Sequence, residues 1–463
     1  MPFTHRPVLP TFTVVEDRRE TWAVGGVLLG TMLQSIDGSI VNVAVPQIQK
    51  ALSAPLTDVS WAVTSYVLAS LVSMPLAAPL ARRMGTRTFF SASVLLFTLS
   101  SAACGLAPSA WWLIGFRVLQ GLGAGGLLPL AQGILMALHT GARRARAIAL
   151  IGFATVLGPL LGPPIGGVLT EAFGWSSIFF INVPLGLLSL HLLRGLRVPG
   201  EARTGQERPL DVRGGALLAL TVGGLQLACA HALWALGPAA LAFVLLLREE
   251  RSAADPVIDL GVLRHRKLAG TLLAVPLYGI GLYGSVFATP LLLEHQLGMG
   301  AARAGLVLAI GGGTSAVAIL SSKQLLARFG ARSLCNVGAF CFAASMLWLA
   351  WVARGGADEV LWAQALRGAG TGMLYVGMNG FAFDAVPPEE LVAASGFFYL
   401  LRQLGGSLGV ALCALAMAGV GTRGTVGAFL ALAATAPLAL VPMALADARR
   451  GRGRRAATAA PAA

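Results

Sequence analysis

The sequence predicts an all-α membrane protein of fourteen spans, built as two six-helix halves with two further helices inserted between them. Composition, the placement of charge and an internal repeat predict it. Of the 463 residues 56% are hydrophobic and 12% charged, and mean hydropathy is +0.75. Soluble domains carry about 25% charged residues; a chain this apolar cannot cover its surface in water and needs a bilayer.

A helix crosses the bilayer core with about 20 apolar residues. Such runs lie near 22–46, 58–81, 88–107, 110–138, 146–169, 175–196, 213–230, 232–248, 268–293, 302–325, 333–353, 358–383, 391–418 and 425–446. Residues 1–20 form a polar tail without the apolar core and cleavage site of a signal peptide, so the first span is expected to direct its own insertion. Residues 21–197 then hold the first six-helix half, and 198–250 a loop with the two inserted helices. The turn between those two, Ala230–Leu233, is very short, which leaves twelve or thirteen spans open as counts. Residues 251–446 hold the second half, and 447–463 are a basic tail that at most touches anionic lipid.

The net charge of +14 raises nucleic-acid binding, but the charges fall between apolar runs rather than along one face. With an even number of spans and a cytoplasmic N-terminus, 27 of the 34 basic residues lie on the cytoplasmic side. That is the positive-inside asymmetry of a multi-pass protein of the inner (plasma) membrane, both termini cytoplasmic. The clusters Arg82–Arg83–Arg87, Arg143–Arg144–Arg146, Arg264–Arg266–Lys267 and Arg449–Arg455 produce it. No nucleic-acid partner is expected. The five cysteines are scattered without metal spacing and read as small buried hydrophobes.

The chain repeats itself at an offset of about 246 residues. Leu80–Arg87 recurs as Leu325–Arg332, Gly121-Leu122-Gly123-Ala124-Gly125 as Gly368-Ala369-Gly370-Thr371-Gly372, and Gly158 and Gly162 as Gly405 and Gly409. Two like-oriented halves with a site between them near the midplane are the plan of a secondary transporter, in which one half rocks against the other.

Asp37 alone of the twenty acidic residues sits in mid-span. A charged acid there costs at least ~2.5 kcal/mol to insert, so it needs a reason. Burial favours the neutral form of a carboxyl group and a nearby cation the anionic form; an acid held between the two can take up and release a proton. Asp37 is therefore the candidate proton-coupling residue, with a purely structural pair the other reading. Arg117, deep in the fourth span, is its expected partner. Arg367 and Arg402, in the second half, are expected to bond backbone carbonyls, Gln364 and Gln403.

The glycines at four-residue spacing in the fifth span (Gly158, Gly162, Gly166, beside Gly167) would let a neighbouring helix approach closely, while Pro159 and Pro163 bend it. Gly121-x-Gly123-x-x-Gly126 imitates a dinucleotide fingerprint but lies in mid-membrane with no acid until Glu171, so it is read as helix contact. Nucleophile elbow, paired catalytic carboxylates, phosphate loop and metal-spaced histidines are all missing from the sequence, so neither an enzyme nor a metal protein is expected. His191 is read as structural, and Glu294-His295 as solvated at a membrane face. Aromatic or polar groups on spans expected to line the interface are the candidate cavity residues: Gln34, Asn42, Trp61, Tyr66, Gln120, Phe153, Tyr278, Tyr283, Phe287, Tyr375, Asn379, Phe398, Tyr399 and Arg402.

These segments resemble the major facilitator superfamily, and within it the fourteen-helix drug:proton antiporters of the EmrB/QacA type. Asp37–Pro46 resembles the family's first-helix signature, Trp61–Tyr66 its second-helix pattern and Arg117-x-x-Gln120-Gly121-x-Gly123 its fourth-helix motif. Gly158-Pro159-x-x-Gly162-Pro163-x-x-Gly166-Gly167 resembles the antiporter motif of exporters; Ile178–Gly186 and Arg402–Gly409 match further signatures. In the loop motif that holds Arg82, Arg83, Gly85 and Arg87, Ala78 and Arg82 stand where the superfamily usually has Gly and Asp. Arg82 is nearer the EmrB branch, whose members work with a periplasmic adaptor and an outer-membrane channel. The loop Gly419–Gly424 is much shorter than is common in that branch. The resemblance implies alternating-access export of lipophilic drugs or toxic compounds, driven by proton entry and needing no cofactor. The alternative is a dedicated exporter of one metabolite, siderophore or antibiotic.

Overall fold

The computed structural model describes residues 18–138, 160–196, 212–229, 233–252, 260–355, 359–384, 391–418 and 421–458, with the single positions 150, 158, 198, 386 and 387. The first half comprises α1 (Arg18–Ala51), α2 (Leu56–Met84), α3 (Thr86–Gly105), α4 (Ala110–Ala124), α5 (Leu127–Leu138), α6 (160–173), α7 (Ser177–Phe180) and α8 (Asn182–Leu192). The inserted pair is α9 (Val212–Cys229) and α10 (Leu236–Ser252). The second half comprises α11 (Arg266–Leu291), α12 (Ala301–Leu320), α13 (Ser322–Phe329), α14 (Ala331–Val352), α15 (Val360–Phe383), α16 (Leu391–Met417) and α17 (Gly421–Thr458).

The protein is an all-helical, multi-pass membrane protein. Among the described residues nine helices are long and apolar enough to cross a membrane. Fourteen spans are compatible with this, because α2, α9, α10 and α15 fall on four further expected spans and α6 on part of the remaining one. Large apolar side chains point outward along the bundle, among them Leu99, Trp111, Phe340, Trp362 and Leu438, each more than half exposed. A soluble monomer does not carry such a belt; lipid tails cover it at no cost. The N-terminal tail up to residue 17, the Arg143–Arg146 cluster and positions 419–420 lie outside the described residues.

The internal repeat is visible in the contacts of the glycines. Gly121 and Gly125 of α4 press against the Tyr66 and Ser70 carbonyls of α2; Gly368 and Gly372 of α15 press against Gly311 and Ser315 of α12. Gly123 meets Ser93 and Phe97 of α3, and Gly370 meets Gly338 and Phe342 of α14. Gly158 and Gly162 lie on Ser35 and Ser39 of α1, as Gly405 and Gly409 lie on Pro276 and Ile280 of α11. The glycine spacing thus encodes one packing scheme twice: without a Cβ, helix backbones reach each other and gain the dispersion contacts that hold membrane bundles together. Gly85 (φ +87°) and Gly330 (φ +74°) make the same turn into α3 and α14, a conformation that side chains with a Cβ adopt rarely.

The halves meet at the face opposite the basic loop and along α2 and α16. Opposite the basic Arg82–Arg87 loop, Val43 of α1 packs among Leu293, Ala304, Val307 and Leu308 of the second half. There too Gly167 and Pro163 of α6 touch Ala301 and Gly305 of α12, and the Ala302 amide donates to the Glu171 carboxylate at 2.8 Å. On the basic face, the cluster of Ala23, Val27, Ala81, Phe90, Ile134 and Leu193 draws, among the described residues, on the first half alone. The inserted α9 packs on both α2 and α16, so it spans the seam between the halves.

The glycine contacts yield a stability test. A Cβ at Gly368 would land on the Gly311 carbonyl, whereas one at Gly115 or Gly427 meets nothing within 4 Å. Gly368→Val should cost about 1–3 kcal/mol and lower the melting temperature of the detergent-purified protein, with Gly115→Ala and Gly427→Ala melting as wild type.

Candidate functional site

The site is built on α1, whose membrane-spanning run carries one charged residue, Asp37. Its carboxylate is fully buried, and an ion in such surroundings survives only if paired and hydrogen-bonded. Arg117 Nη1 of α4 donates to Oδ2 at 2.5 Å, forming a buried ion pair. Gln120 Nε2, one turn along the same helix, and Asn182 Nδ2 at the start of α8 both donate to Oδ1 at 3.0 Å. Asn182 also donates to Ser101 Oγ of α3 at 3.0 Å. Two helices, α4 and α8, therefore converge on a carboxylate carried by α1.

Arg117 has further partners. Its Nε donates to the Ala62 carbonyl of α2 at 2.8 Å, and Nη1 donates to Gln120 Oε1 at 2.7 Å. The guanidinium lies 4.1 Å over the Tyr66 ring and 5.8 Å from that of Phe179, positions in which a ring face attracts a cation. Were the carboxylate neutralised, the cation would keep a carbonyl, an amide oxygen and two rings.

The glycine-rich helix lies directly along this element. Ser39 Oγ of α1 donates to the Gly158 carbonyl at 2.6 Å, and Gly162 and Gly166 pack on Ser39 and Ile40. Its other side carries Gly167 and Pro163 against α12. A helix so placed touches both the acid-bearing helix and the opposite half. Pro159 and Phe153 lie outside the described residues.

The second half carries a related but altered pattern. In the register set by Gly121 and Gly368, Arg117 corresponds to Gln364 and Gln120 to Arg367, so the two residue types are exchanged. The bond between them persists: Arg367 Nε donates to Gln364 Oε1 at 2.7 Å. The contacts of Gly405 and Gly409 put Leu277 and Tyr278 where α1 has the region of Asp37, and the Tyr278 hydroxyl donates to the Thr371 carbonyl at 3.3 Å. Arg367 is buried with no carboxylate paired to it among the described residues.

Several candidate cavity residues gather in the second half. Tyr278 and Tyr375 lie 6.5 Å apart, Tyr375 and Phe398 6.3 Å, and the Arg402 guanidinium is 5.0 Å from the Tyr399 ring and 5.6 Å from that of Tyr375. Arg402 was expected on Gln403; instead Gln403 donates to the Tyr399 hydroxyl at 3.2 Å, and Arg402 Nε is buried without a hydrogen-bond partner. Tyr66 is buried, and its hydroxyl donates to the Gln34 carbonyl at 3.4 Å. Gln34 and Trp61 are half-buried, and the Gln34 Oε1 has no partner.

Other expectations need correction. Asn42 is buried and spends its amide on the Gly38 and Ser39 carbonyls of its own helix, and Phe287 is fully buried in the hydrophobic core that both halves share. Asn379 likewise donates to the Tyr375 carbonyl one turn back, at 2.7 Å. Glu294, expected to be solvated, has Oε1 buried with no partner. His191 lies at a surface cleft beside Trp22 and Arg194. Arg82, Arg83 and Arg87 are exposed around Gly85, as a loop motif requires. Asn182 was not singled out as a site residue; the signal was an amide inside an apolar run.

Removing Arg117 should strand the Asp37 charge. Arg117→Ala is expected to cost about 3–5 kcal/mol, read as loss of folded protein in a detergent melt. Adding Asp37→Asn should recover much of that loss, and a double variant no better than the single one would contradict the pairing.

The chain matches the Major Facilitator Superfamily over residues 27–410. It is 31% identical over 401 residues to the multidrug export protein EmrB of Escherichia coli (strain K12), covering 83% of this chain and 77% of that protein. It is 34% identical over 411 residues to the tetracenomycin C resistance and export protein of Streptomyces glaucescens, covering 85% and 75%. In structure it resembles an auto-inhibited POT family peptide transporter, with a TM-score of 0.68 at 19% identity, covering 93% of this chain and 97% of that one.

Proposed function

The chain belongs to the major facilitator superfamily and to its EmrB-like multidrug exporters, and from that premise we propose that it exports lipophilic compounds in exchange for protons by alternating access. It is a transporter, not an enzyme. The observation that carries the coupling step is the buried Asp37–Arg117 pair with the alternative partners of Arg117. A proton arriving at Asp37 cancels its attraction for Arg117. The guanidinium then relaxes onto Ala62, Gln120 and Tyr66 instead of being left unsatisfied, which keeps the step low in cost. Because α6 touches α1 on one side and α12 on the other, a shift of α1 is transmitted to the seam between the halves.

In this reading the Arg-rich loops face the cytoplasm and the protein resides in the inner membrane, as the bias of basic residues supports. A proton crossing 100 mV supplies about 2.3 kcal/mol. At ~1.4 kcal/mol per tenfold, one proton per neutral substrate sustains a gradient of roughly 40-fold.

Likeness to an exporter of a single antibiotic at 34% identity favours a second reading, a dedicated exporter of one metabolite. A compound-panel efflux assay separates the two by the breadth of the profile.

In proteoliposomes with an imposed pH gradient, Asp37→Asn should lower proton-driven transport at least about tenfold, while equilibrium binding of substrate to the purified protein persists. Undiminished pH-driven transport by that variant would remove Asp37 from the coupling role.

A further inference from the structure

Three arginines lie within the spans, and each is accommodated differently. Arg117 has a carboxylate, and Arg367 has the Gln364 oxygen. Arg402 has neither. It is also less buried than the other two. Among the described residues its guanidinium sits over the rings of Tyr375 and Tyr399, while Nε is shielded from solvent and makes no hydrogen bond. Guanidinium stays protonated under all physiological conditions, so this is a permanent cation with no counter-charge paired to it among the described residues, held on ring faces within its span.

Such a cation is costly unless an anion completes it. The groups around it suit one kind of anion. Guanidinium presents a planar fork of donors that matches a carboxylate or sulfonate. The Tyr399 and Tyr375 rings are flat surfaces for an aromatic body, continued by Phe398 and Phe383, whose centroids are 5.9 Å apart.

We infer that the Arg402 cluster binds the acidic group of the cargo, and that the transported compounds include lipophilic organic anions. The site rests on the export reading above and names the chemistry of what is exported. Arg402 holds the carboxylate or sulfonate, the tyrosine rings hold the apolar body, and the same positive charge disfavours cationic compounds.

The test compares two fluorescent probes that share the anilinonaphthalene ring system: 8-anilinonaphthalene-1-sulfonate, an anion, and N-phenyl-1-naphthylamine, which is uncharged. Both are titrated against the full-length protein in nanodiscs, with empty nanodiscs subtracted, and the ratio of their affinities is read. Arg402→Gln should shift that ratio against the sulfonate by about tenfold. Arg402→Lys, which keeps the charge but loses the fork, should shift it about threefold, and Arg402→Met, which loses the charge but keeps an apolar stem over the rings, about tenfold. These two decide the matter should Arg402→Gln fail to fold. An unchanged ratio in the folded variants, or a higher wild-type affinity for a cationic dye of similar size than for the sulfonate, overturns the inference. Binding is measured without a gradient, so its outcome is independent of coupling; the wild-type protein's pH-driven efflux of the uncharged probe tests the export reading separately.

Discussion

One carboxylate in hydrocarbon organises the first half of this protein. Asp37 cannot be buried as an ion without Arg117, and Arg117 cannot be held at that depth without Ala62, Gln120 and Tyr66. These partners come from α2 and α4, and Asn182 adds α8. The polar network therefore specifies how α1, α2, α4 and α8 sit together, a job that apolar packing does poorly in a solvent as apolar as the side chains. The glycine contacts then bring the backbones close enough for those short side chains to reach.

The second half keeps the glycine scaffold and discards the acid. Exchange of Arg and Gln between positions three residues apart moves the guanidinium almost one helical turn, ~4.5 Å along the axis, and the α11 step that corresponds to Asp37 is Leu277–Tyr278. In the proposed reading one half trades protons, while the other holds two span arginines with no carboxylate paired to them among the described residues. If the cargo is a monoanion, each exchange for a proton moves two charges, worth about 4.6 kcal/mol at 100 mV. That sustains a gradient of roughly 2,000-fold, so the charge on Arg402 would set how steeply the exporter concentrates its cargo.

Much of this was legible in the sequence because the bilayer removes choices. Asp37 stands out since a mid-span acid must have a partner, and Arg117 is the cation nearest in depth. The repeat stands out since helix contacts made by glycine tolerate no other residue. What stays hidden is direction. Period and spacing place Arg402 on a span, but whether it turns to Gln403 or to the tyrosine rings depends on side-chain orientation across helices. Asn42 and Asn182 look alike in sequence, yet one satisfies its own helix and the other completes the Asp37 site. Phe287 shows the same limit, since aromatic residues on interior spans serve core and cavity equally well.

The clasp between Glu171 and the Ala302 amide has its own consequence. A carboxylate at the start of a helix gains from the exposed amides and the helix dipole, typically 0.3–1 kcal/mol when near the surface. At the upper end that biases two conformers about fivefold, enough to choose the resting shape and too little to trap it. In the proposed alternating-access cycle that joint reopens on every turnover, so a weak fastener suits it better than a strong one: tightening it would favour retention of one shape over speed.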